Sequence, residues 1–161
     1  MVSALAMLLG CVSSDATKKK PAQAPQTGGQ AITEINLLAI PVALNFDQKP
    51  GPDGFVIKVF ASNRQRPKPL EIESGRIEIL MFDGAPGTAE GASFEPKRVW
   101  NYTAQELRGL EVRSSIGIGY QITAIWGEAK PAGNKISVVV RYTGPSGGSV
   151  VSAPSVISVS N

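Results

Sequence analysis

The residues from Gly117 to Tyr142 constrain this chain more than any others, because apolar and polar side chains alternate there with a period of two. Ile118, Tyr120, Ile122, Ala124 and Trp126 share one face, while Gln121 and Thr123 share the other. Ile136, Val138, Val140 and Tyr142 repeat the pattern, opposed by Ser137 and Arg141. Successive side chains of an extended strand point to opposite sides, so alternation of this length predicts two half-buried strands and does not suit a helix.

Upstream, Phe55 to Ala61 places Phe55, Ile57 and Val59 on one face. Arg76 to Phe82 sets Ile77, Ile79 and Met81 one way and Leu80 and Phe82 the other, as in a strand partly covered on both sides. Ile35 to Phe46 is a first candidate strand, interrupted by Pro41. Proline lacks the amide that a ladder needs, so this strand is expected at an edge or to switch sheets at that residue. Pro154 carries the same implication within Val150 to Val159. Arg98 to Tyr102 reads as a short strand. Pro50-Gly51-Pro52-Asp53-Gly54 and Gly144-Pro145-Ser146-Gly147-Gly148 read as turns, and a Gly- and Ala-rich loop runs from Gly84 to Glu95. Thr103-Ala104-Gln105-Glu106 has the form of a capping box, with Leu107 and Leu110 sharing a face and Gly109 as the stop, which predicts one or two helical turns.

About seven strands at short intervals with one short helix predict an all-β, antiparallel sandwich, since too few helices exist for alternating βαβ units. The pattern resembles an immunoglobulin-like or fibronectin-like domain, with prolines in both terminal strands. One cysteine in 161 residues excludes the disulfide of antibody domains, and a small open barrel is the alternative.

The absence of histidine removes Ser-His-Asp triads, Cys-His pairs and histidine-ligated zinc or haem. No cofactor and no metal site are expected. Glu71 and Glu73 lie on one side of a short extended run, and Asp83 ends a strand; a carboxylate pair of that kind could serve a glycosidase, but acidic residues at strand ends are ordinary in β proteins. Asp47 and Asp53 flank a loop that has too few regularly spaced oxygens for calcium, so turn formation is the preferred reading. Gly117-Ile118-Gly119-Tyr120 lacks the third glycine of a dinucleotide fingerprint and leads into a strand, and the Gly144–Gly148 loop lacks the ending of a phosphate loop. Among the aromatics, Tyr120, Trp126 and Tyr142 fall on apolar faces and read as core. Trp100 and Tyr102, beside Arg98, have no such assignment, and these three form the candidate recognition patch.

The amino-terminal segment is of another kind. Val2 to Leu9 carries one polar side chain, Ser3, and ends in Leu8-Leu9-Gly10-Cys11. Ten helical residues rise only about 15 Å, against the roughly 20 apolar residues of a membrane span, so the run fits the apolar core of a secretory signal instead. The Leu8-Leu9-Gly10-Cys11 sequence resembles the lipobox of bacterial lipoproteins. That resemblance implies a signal over residues 1–10, removal of it, lipid attachment at Cys11, and export. Val12, rather than an aspartate, follows the cysteine, which by analogy favours the outer membrane. No Lys or Arg precedes Cys11, whereas such signals begin with a positive region; the expectation is a start downstream of the true one, or a weak signal.

Residues 11–30 are rich in Pro, Gln, Ser and Gly and have no apolar periodicity, so they read as a lipidated, disordered tether, about 60 Å long at full extension. Residues 31–161 form the predicted domain. Setting aside Lys18, Lys19, Lys20 and Asp15 leaves 13 basic and 12 acidic residues, so the domain is nearly neutral and a nucleic-acid partner is not expected. The lysine triplet is placed either near anionic lipid head groups or simply in solvent. Together these features predict a membrane-anchored envelope lipoprotein, non-enzymatic, with a protein or glycan partner. A carbohydrate- or peptide-capture module is the alternative, and a carboxylate-based hydrolase a more remote one.

Overall fold

The computed structural model describes residues 31–85 and 95–160. Cys11, the tether and most of the Gly84–Glu95 loop lie outside them. The described residues contain ten strands: β1 (Glu34–Ala39), β2 (Gly54–Asn63), β3 (Arg66–Leu70), β4 (Arg76–Asp83), β5 (Arg98–Thr103), β6 (Glu111–Ser114), β7 (Gly117–Ile125), β8 (Lys135–Thr143), β9 (Ser149–Val151) and β10 (Ser155–Ser158). One helix, α1 (Ala104–Arg108), follows β5. All strand pairs in the two sheets are antiparallel. One sheet runs β1-β2-β7-β6, with β3 beside the end of β2; the other runs β10-β8-β4-β5, with β9 continuing the β10 edge along β8.

The core lies between the sheets and is built from the predicted faces. Phe55, Ile57, Val59, Tyr120, Ile122, Ala124 and Trp126 from the first sheet are buried against Ile77, Ile79, Met81, Ile136, Val138 and Val140 from the second. Each such large apolar side chain contributes about 1.5–3 kcal/mol on burial. Ile72 and Leu107 close the core from outside the strands.

Ten strands rather than about seven arise from three places. β3 contains Pro67 and Pro69 and meets β2 only at Ala61–Leu70 and Asn63–Arg66, across a register shift. β6 is four residues at a sheet edge, too short and too exposed to show alternation. The last predicted strand divides at Pro154 into β9 and β10. There Ser152 N donates to Val140 O at 2.8 Å, and Ser152 Oγ accepts from Val140 N at 3.0 Å, so a side-chain oxygen stands where a strand carbonyl would.

Pro41 is where the chain changes sheets. Ile40 N still donates to Val56 O in the first sheet, whereas Val42 bridges Ser158 in the second, with Ala43 N donating to Ser158 O and Ser158 N to Pro41 O. The capping box forms as the sequence predicts: Glu106 N donates to Thr103 Oγ1 at 3.3 Å, and Thr103 N to Glu106 Oε2 at 2.7 Å. The Thr103 N bond, with Thr103 Oγ1 donating to the same carboxylate oxygen at 2.8 Å, holds the Glu106 carboxyl below its usual range.

Candidate functional site

Arg98, Trp100 and Tyr102 sit on one side of β5, an edge strand, and that side faces the core. All three are half-buried, while Val99, Asn101 and Thr103 face out. Arg98 Nη1 donates to Trp126 O at 2.7 Å, and Trp100 Nε1 to Ile125 O at 3.3 Å. The acceptors are the last residue of β7 and the one after it, on the side of the opposite sheet. The Arg98 guanidinium carbon is 5.3 Å from the Trp100 ring centroid, a cation–π distance. Phe55 meets Trp100 at a centroid distance of 5.5 Å and an interplanar angle of 87°, an edge-to-face pair. Tyr102 packs against the core, and burial pushes its phenol pKa up. The structure therefore brings the predicted patch together and turns Arg98 Nη1 and Trp100 Nε1 onto acceptors within the chain. Nearby, the buried Trp126 Nε1 has no hydrogen-bond partner among the described residues, at a cost of about 1–3 kcal/mol.

The acidic residues singled out in the sequence separate into distinct environments. Asp53 Oδ1 accepts from Phe46 N at 2.9 Å and Asp47 Oδ1 from Lys49 N at 2.8 Å, so each carboxylate shapes the β1–β2 connection. Asp83 bridges Lys97 at 2.8 Å and accepts from Ala132 N at 3.0 Å. No group of three or more His, Cys, Asp or Glu able to hold a metal occurs among the described residues. The Gly117 and Gly119 pair has a packing role. A Cβ on Gly119 would lie 2.5 Å from Phe60 Cε1, so the absent side chain makes room for the Phe60 ring on the outer face of the sheet. Gly117 has φ +124° and lies against Pro69.

Glu71 and Glu73 flank buried Ile72 in the β3–β4 connection, and both line a cleft of about 640 Å³. Its opposite wall is the β8–β9 hairpin, and Ile32, just before β1, lies at its border. Two buried tyrosines brace the carboxylate wall. Ile72 N donates to Tyr120 Oη at 2.7 Å, and Tyr142 Oη donates to Ser74 O at 3.2 Å. Burial raises the pKa of both phenols, and for Tyr120 the nearby Glu71, Glu111 and Glu73 charges push it further. Sequence reasoning found the two carboxylates but not the cleft. The hairpin that completes it is about 70 residues away along the chain, and no local pattern records that approach.

A second cleft of about 400 Å³ lies on the outer face of the first sheet, among Leu38, Ile40, Val56, Lys58 and Gln121. Leu38 is 57% exposed there.

No family model matches the chain, and no curated protein sequence matches it. A polysaccharide deacetylase from Bacillus cereus superposes with a TM-score of 0.41 and 8% identity, over 78% of this chain and 30% of that one. The chain thus spans under a third of that protein, and a likeness of this degree carries no argument about activity.

Proposed function

We propose that this chain is an envelope lipoprotein, anchored through Cys11, whose β domain is a non-catalytic binding, scaffolding or assembly module. One observation carries the reading: Leu8-Leu9-Gly10-Cys11 is followed directly by a polar, proline-containing stretch that ends where the strands begin. Stable lipid anchoring takes two chains or signals, and a multiply acylated cysteine supplies them by itself. Outer-membrane attachment follows from Val12 on the same reading. A partner among envelope proteins or glycans fits a nearly neutral domain.

The immunoglobulin-like or fibronectin-like type belongs to the same proposal. Its support is the strand order. With β1, β2, β4, β6, β7, β8 and β9–β10 taken as strands A to G in chain order without β3 and β5, the two sheets read A-B-E-D and G-F-C. β5 then adds one strand beside C, and the sheet switch at Pro41 joins the first strand to the last.

Radiolabelled palmitate is expected to enter the wild-type protein in a bacterial host, and Cys11→Ala is expected to abolish both label and membrane fractionation. An unlabelled wild type with its first ten residues retained refutes the anchor.

A further inference from the structure

We infer that the cleft between the β3–β4 connection and the β8–β9 hairpin is a binding site for an amine- or guanidinium-bearing group on a short apolar stem, such as a lysine or arginine side chain. The inference rests on reading the domain as a binding module, and it does not depend on the lipid anchor.

The cavity comes first. Its volume of about 640 Å³ falls within the roughly 300–1,000 Å³ of small-molecule sites. Its lining is then one-sided in charge. Glu71 and Glu73 are exposed on one wall, Ser146 and Ser149 offer hydroxyls on the other, and no lining residue is basic. Apolar surface from Ile32, Leu70 and Val150 lies between them. A carboxylate gains charge-assisted hydrogen bonds from a cationic donor, whereas an anionic ligand would face the repulsion of both carboxylates. The stem of a lysine or arginine is itself apolar, which suits the remaining lining.

Both walls are held by bonds within the chain. The carboxylate wall is held by the Tyr120 and Tyr142 bonds and by Gly75, where φ is +82° and a Cβ would lie 2.4 Å from Thr143 O. Across from it, the hairpin tip is closed by its own backbone bonds, Gly144 N to Gly148 O at 2.9 Å and Gly147 N to Gly144 O at 3.0 Å. Preorganising one side of a site lowers the ordering cost of binding.

The test uses the full chain as it is expressed, lipidated or not, held in non-ionic micelles, with backbone amide NMR as the readout. The probes are Nα-acetyl-lysine N-methylamide and its Nε-acetylated, neutral counterpart. The cationic probe is expected to shift the amides of residues 70–75 and 142–150, and the neutral one to leave them in place. Glu71→Gln with Glu73→Gln is expected to weaken binding about tenfold or more. Glu128→Gln, in the β7–β8 connection at the other end of the domain, is expected to leave it unchanged. Both glutamates are exposed, and the same spectra show whether the double variant is folded. No shifts in these segments, an equal response to the neutral probe, or undiminished binding by the folded double variant overturns the inference. Palmitate incorporation is unaffected by any of these results, so loss of the site and loss of the anchor are read separately.

Discussion

The two long sides of the sandwich are closed by different chemistry. On the β1 side the chain itself crosses: it leaves the first sheet at Ile40, passes Pro41, and pairs with Ser158 in the second through backbone bonds. On the β5 side the chain passes from β5 to β6 through α1 without pairing backbone between the sheets among the described residues, and along the strands side chains span the gap. Arg98 and Trp100 reach from β5 to the carbonyls of Trp126 and Ile125, and Phe55 meets the Trp100 ring at its edge. Backbone closure depends little on side-chain identity, because every residue has a carbonyl. Side-chain closure depends on particular residues, so the β5 side is expected to be much the more sensitive to substitution.

The largest effects test that sensitivity. Phe55 is fully buried and touches both tryptophans, so Phe55→Ala is expected to cost about 3–5 kcal/mol in urea unfolding. Trp100→Ala, at a half-buried position, is expected to cost about 2–3 kcal/mol and to raise amide exchange in β5 before β4. Equal exchange in the two strands would show that Trp100 does not secure this side.

A direct contrast between the two sides comes next. Arg98→Met keeps much of the stem and removes a charge-assisted bond, for an expected loss of about 1.5–3 kcal/mol. Pro41→Ala keeps the carbonyl that Ser158 N uses and is expected to change stability by only about 0.4–1 kcal/mol, mainly through the unfolded chain. If Pro41→Ala proves the costlier of the two, the contrast drawn here is wrong.

The smallest effect lies on neither side, on the outer face of the second sheet. Arg141 Nε donates to Glu78 Oε2 at 2.7 Å, and this bond holds the Glu78 carboxyl below the usual carboxylate range. A group whose folded pKa is depressed adds stability above its unfolded pKa, about 4.3, and loses it as pH falls through the folded value. Glu78→Gln is expected to cost about 0.2–1 kcal/mol at pH 7 and to flatten the stability profile below about pH 4.3. A variant whose acid limb matches the wild type would mean that the pair contributes nothing.

Much of the fold was legible because its signals are local. The alternation of Ile118 to Trp126 and Ile136 to Tyr142 returns as the buried face of β7 and β8, with Ile118 only half-buried at the strand's start. Thr103 and Glu106 specify their own capping box within four residues. Pro41 marks the sheet switch because a missing amide is a property of one residue. The short strands were not legible: β3 carries two prolines and β6 has only four residues, and each exists because a neighbouring strand offers an edge.

The candidate sites divide along the same line. Residue types alone removed histidine chemistry and drew attention to Glu71, Glu73, Arg98, Trp100 and Tyr102. Only the tertiary structure decided that Arg98 Nη1 and Trp100 Nε1 turn onto acceptors on the side of the opposite sheet, and that Glu71 and Glu73 face a hairpin far along the chain. Strand identity follows from side-chain periodicity and backbone geometry, both contained in a few consecutive residues. Which polar groups remain available to a ligand follows from contacts between distant segments, and those exist only once the two sheets have packed.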